Sequence, residues 1–122
     1  MAVRRRTDPE VGRAALARVL EAHTMEPDDV RDAVRFLLEE LAIQAPGRSV
    51  EVRVPPYGAV QCVAGPRHTR GIPPNVVEID AMTWVALATG SAGESGWTAA
   101  TAEGLVKASG ERADLSPFLP LV

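Results

Sequence analysis

Three basic residues stand close together in "GPRHTRGIPP", residues 65–74: Arg67, His68 and Arg70. Pro66, Pro73 and Pro74 stiffen the stretch, and Gly65 and Gly71 let its backbone turn. The chemistry such a loop could do is anion recognition. Arginine grips a carboxylate or phosphate through two parallel hydrogen bonds. Successive backbone N–H groups can add to the grip, and His68 would strengthen it on gaining a proton. Two other readings stay open: a patch that docks an acidic protein partner, and a solvated connection between strands. Twelve of the thirteen basic residues are arginine, so arginine at any one place is weak evidence by itself.

Cys62 and His68 could form a nucleophile and its base. A reactive thiol needs an exposed, electropositive setting with a base in reach. Cys62 instead alternates with Val60 in a strand pattern, where a cysteine acts as a small apolar group. Glu39 and Glu40 are neighbours on a helix and point about 100° apart, so they read as a solvated face rather than an acid–base pair. His23 falls at a helix C-terminus, where a partly positive imidazole suits the dipole. There is no His-x-x-x-His pair, no Cys-x-x-Cys, and no glycine-rich phosphate loop between a strand and a helix. The expectation is a protein that is not an enzyme, with no metal and no cofactor. Trp84, near Leu87 and Ala88, reads first as core. Trp97 follows Gly96 at a helix start and is balanced between core and binding plate. The candidate ligand-binding set is Arg67, His68, Arg70, Trp84 and Trp97.

These residues must be held by one domain spanning residues 1–122, with residues 1–6 as a flexible tail. The chain has 122 residues, enough to bury a core without disulfides. Hydrophobic residues make up 46% and aromatics only 4%, so Val, Leu and Ala must build that core. The net charge of -3 argues against a general nucleic-acid binder. A lone cysteine forms no internal disulfide, and the chain reads as cytoplasmic. No apolar run approaches the ~20 residues of a transmembrane helix, and no apolar stretch follows "MAVRRRTDPE" as a secretory signal requires.

"TDPEVGRAALARVLEAH" predicts a helix with Thr7 and Glu10 as a capping box and Val11, Ala15, Val19 and Leu20 as its apolar stripe. "EPDDVRDAVRFLLEELAIQAPG" predicts a second, with Val30, Val34, Leu37, Leu38 and Leu41 facing inward and Pro46 and Gly47 as the stop. "RSVEVRV" and "AVQCVA" alternate as strands around the turn "PPYG" and predict an antiparallel hairpin. "NVVEI" is a third strand. Asp80 caps the helix "AMTWVALATG", which ends at Gly90. A short helical turn from "SAGESGWTAATAEG", a fourth strand "LVKASG" and the apolar tail "ADLSPFLPLV" follow. The predicted class is α+β, a mainly antiparallel four- or five-stranded sheet with helices on one face. Its core is expected to hold Leu37, Leu41, Val50, Val52, Val54, Val60, Trp84 and Leu87.

The succession "VEIDAMTWVALATG", "GWTAATAEGLVKASG", "ADLSPFLPLV" resembles the sterol carrier protein family. There an acidic residue leads from a strand into a helix bearing a Trp, a "GKLKI"-like strand follows, and a last helix covers a cavity. Gly104 and Lys107 fall at matching positions. "RVPPYGAVQCVAGPRHTRGIPPNVVE" is similar to a small bacterial branch of that family with about this whole length. A related module resembles the C-terminal domain of mycothiol-dependent maleylpyruvate isomerase-like enzymes, whose metal and catalysis belong to a separate helical domain. The resemblance implies a five-stranded sheet, an apolar tunnel between sheet and helices, and sterols, fatty acids or acyl-CoA esters as ligands. It implies no catalytic residues.

Two functions follow as expectations. One is a carrier for an apolar small molecule with an anionic head group, held by burial and oriented by Arg67, His68 and Arg70. The other is an interaction module with a packed core, whose basic loop docks an acidic protein partner.

Overall fold

A proline opens each of the first two helices, where its missing N–H is no loss. A computed structural model describes residues 5–22, 25–65 and 75–122. Helix α1 runs Pro9–Glu21 and α2 runs Pro27–Gln44. Asp8 caps α1, its side chain accepting from the Glu10 N–H at 2.9 Å. The expected capping box of Thr7 and Glu10 is therefore replaced by Asp8 alone. Thr7 turns to α2 instead, its hydroxyl 3.3 Å from Glu39.

The buried stripe of α1 is Gly12, Ala15, Leu16 and Val19. Ala15 and Val19 are buried as expected, but Gly12 and Leu16 take the places of Val11, 48% exposed, and Leu20, 38% exposed. The reason is Gly12. A Cβ there would stand 2.5 Å from the Phe36 Cβ, so the bare backbone lets α1 settle onto the Phe36 ring. On α2, Val30, Val34, Leu37, Leu38 and Leu41 are buried as expected, joined by Ala33, Phe36 and Ala42.

Four strands form one sheet in the order β2-β1-β3-β4. They are β1 (Val50–Val54), β2 (Gly58–Cys62), β3 (Val76–Ile79) and β4 (Val106–Ser109). The hairpin β1–β2 is antiparallel with Val52 opposite Val60. Strand β3 pairs with β1 in parallel, and β4 pairs with β3 antiparallel. The sheet is thus mixed. Strand β2 ends beside the start of β1, and β3 begins at that same end on the other side of β1.

One face of the sheet carries Val50, Val52, Val54, Cys62, Val77, Ile79 and Val106, all buried. The other carries Glu51, Arg53, Glu78 and Lys107, none of them buried. Helix α2 covers the apolar face and α1 packs on α2. Helix α3 (Ala81–Thr89) lies beside α2. Asp80 caps it by accepting from the Thr83 N–H at 3.3 Å, and Gly90 ends it at a φ of 79° that glycine adopts freely. Helix α4 (Gly96–Ala102) and a single tight turn, Ser116–Phe118, complete the fold.

Residues 1–4 of the expected tail lie outside the described residues. Arg5 and Arg6 are placed against α2. The Arg5 guanidinium pairs with Glu40, lies 4.0 Å from Glu39, and stands over the Phe36 ring at 5.2 Å. Glu39 also accepts from the Thr7 N–H at 3.2 Å. Glu39 and Glu40 therefore tether the N-terminal segment rather than forming a plain solvated face.

Candidate functional site

Arg67, His68 and Arg70 lie outside the described residues, as does His23. Both ends of their loop are described. Ser49 is fully buried, and its hydroxyl donates to the Val63 carbonyl at 2.7 Å. Asn75, also buried, donates from Nδ2 to the Ser49 carbonyl at 2.7 Å. Its Oδ1 accepts from the Arg112 N–H at 2.9 Å. A Cβ on Gly65 would meet the Ser49 side chain at 2.9 Å and the Arg112 guanidinium at 3.1 Å. Buried polar groups persist when they are partnered, and here the partners tie the two loop ends to the C-terminal segment. Sequence reasoning missed Ser49, Asn75 and Arg112. Nothing distinguishes them until the fold brings residues 49, 75 and 112 together.

At the same end of the sheet, the chain leaves a groove of about 420 Å³. Leu87 and Gly90 from the end of α3, Glu94, Trp97 at the start of α4, and Leu119 and Pro120 line it. The C-terminal segment that forms one wall is pinned. The Leu121 N–H donates to the Ala88 carbonyl at 2.8 Å, and Gln44 Nε2 donates to the Leu121 carbonyl at 3.1 Å. Pro120 packs 3.4 Å from where a Gly90 Cβ would stand. The wall is mainly apolar, so the groove suits a ligand held by burial.

The two tryptophans separate. Trp97 is half-buried on the groove wall. Trp84 is fully buried in the core cluster, and its indole N–H points at the Val34 carbonyl at 3.4 Å. It packs α3 onto α2 and is not among the groove's lining residues. Sequence reasoning found Trp97 but missed Glu94, Leu119 and Pro120, which lie in stretches read only as a loop and an apolar tail.

Cys62 is buried, and that burial pushes its thiol up to about 12. Burial disfavours the thiolate, which is the form that acts as nucleophile. Native protein should react with a thiol reagent far more slowly than protein unfolded in urea, followed by absorbance. The raised value also sets a sign. Unfolding returns the thiol toward 9.0, so its contribution to stability is intact below that pH and fades as pH rises toward about 12. Cys62→Ala should flatten the loss of stability over this window, read from urea midpoints at each pH.

A family model described as bacterial SCP ortholog matches residues 26–121. The chain belongs to that family. The match takes in α2, the whole sheet, α3, α4 and the C-terminal wall of the groove, and it begins after α1. No curated protein sequence matches the chain. In this bacterial SCP ortholog, no helix among the described residues is long and apolar enough to cross a membrane.

Proposed function

We propose that this bacterial SCP ortholog is a non-catalytic binding or carrier protein for an apolar, lipid-like small molecule, taken up in the groove beside Trp97. The observation that carries the reading is that groove: Trp97, Leu119 and Pro120 present apolar surface beside the buried core residue Leu87. Family membership supports a lipid-binding role of this kind. A second apolar groove of about 320 Å³, with Leu16, Leu20 and Phe36 in its walls, depends on α1. Helix α1 lies before the matched segment, which favours the Trp97 groove as the shared site. Burial of apolar ligand surface at ~25 cal/mol per Å² would supply the affinity.

The test is titration with the neutral dye Nile red and its displacement by decanol. Trp97→Ala should weaken decanol about tenfold, equal to about 1.4 kcal/mol. Loss of about 55 Å² of apolar contact accounts for that. If the native protein binds no dye that decanol displaces, the carrier reading falls and the packed interaction module takes its place.

A further inference from the structure

The groove's lining distinguishes one kind of head group from another. Among its described lining residues, Glu94 is the charged one, and no Lys or Arg is present. Trp97 lines the wall, and the face of an indole attracts cations, quaternary ammonium groups above all. Asp114 adds negative charge close by, accepting from the N–H of Ser116, itself a lining residue, at 2.9 Å.

Resting on the carrier reading, we propose that the Trp97 groove selects an apolar ligand with a positively charged amine or quaternary ammonium head. A neutral alcohol ranks next and a carboxylate or phosphate last. The apolar chain lies along Leu87, Leu119 and Pro120. The head group sits between the Trp97 ring and the Glu94 carboxylate. An acid and an aromatic ring in one lining repel an anion and favour a cation, and the apolar wall supplies the affinity both share. This is the reverse of the charge preference that Arg67, His68 and Arg70 would impose, so the two are separable by experiment.

The experiment displaces Nile red with three probes of equal chain length: decyltrimethylammonium, decanol and decanoate, each below its micelle concentration. Decyltrimethylammonium is expected to bind about tenfold more tightly than decanoate, with decanol between, from an exposed ion pair plus a cation–π contact. Glu94→Gln should bring the ammonium and carboxylate probes within about twofold, and Glu94→Lys should invert their order. Glu94 is exposed, so neither variant is expected to threaten folding, which thermal melts check. Equal binding of all three probes to the native protein overturns head-group selection while leaving the carrier reading intact. A preference for decanoate that vanishes in Arg67→Gln/Arg70→Gln overturns it in favour of the basic loop. If none of the three binds, the carrier reading fails and this selection with it.

Discussion

Trp84→Ala is expected to destabilise the protein by about 3–5 kcal/mol, the cost of removing a fully buried aromatic and leaving its cavity. The side chain is wholly shielded from solvent between α3 and α2, and it is the largest fully buried one among the described residues. Its indole N–H points at Val34 on α2 while its backbone belongs to α3, so the space cannot close without moving the two helices. Against a total stability of ~5–15 kcal/mol, the loss would leave a large unfolded fraction at modest urea concentration. Urea unfolding followed by far-ultraviolet circular dichroism measures it. Trp97→Ala is the control, since Trp97 is only half-buried and should cost under about 1 kcal/mol. Nearly equal costs for the two variants would contradict the separation of core and groove tryptophans.

Gly47→Ala is expected to be comparably damaging for a different reason. Gly47 follows the end of α2 at a φ of 150°, a backbone state that side chains disfavour. A Cβ there would collide with the carbonyl group of Val63 and the N–H of Ala64, which are backbone atoms and cannot swing aside. The Val63 carbonyl also accepts from the Ser49 N–H at 3.1 Å and from the Ser49 hydroxyl. Moving it would disturb the Ser49–Val63 hydrogen bonds as well as the α2–β1 turn. Strain and overpacking should each cost about 1–3 kcal/mol. The measurement is the urea midpoint of Gly47→Ala beside that of Gly93→Ala. Gly93 also has positive φ, but its Cβ would meet nothing within 4 Å. If both variants lose the same stability, backbone strain accounts for the whole effect and the collision with Val63 does not exist.

Helix α2 was legible because its apolar residues repeat at helical spacing along 18 residues, so chance cannot easily mimic the pattern. Helix α3 was legible from its ends, Asp80 and Gly90, which act through local backbone chemistry. On helix α1 the sequence pattern placed Ala15 and Val19 correctly but took Val11 and Leu20 in place of Gly12 and Leu16. Gly12 does not count as apolar, yet its lack of a side chain makes the closest contact with Phe36. Glu39 and Glu40 looked like surface charges because their partners, Arg5 and Thr7, are more than thirty residues away.

The alternation of valines in 50–54 and the periodicity of α2 determined, without any tertiary information, which residues face inward and that the class is α+β. Those patterns arise within single elements, where side-chain direction follows backbone period. The direction of β3 depended on the tertiary structure, because a strand pattern reads alike in both senses and only its pairing with β1 decides it. The groove was likewise a tertiary decision. Its walls come from the end of α3, the 90–95 turn, the start of α4 and the C-terminal segment, and no local period links such pieces. What joins them is the pairing of Leu121 and Val122 with the Ala88 carbonyl and of Gln44 with Leu121. Those hydrogen bonds span 33 to 77 residues, and they exist only once the core has brought their partners together.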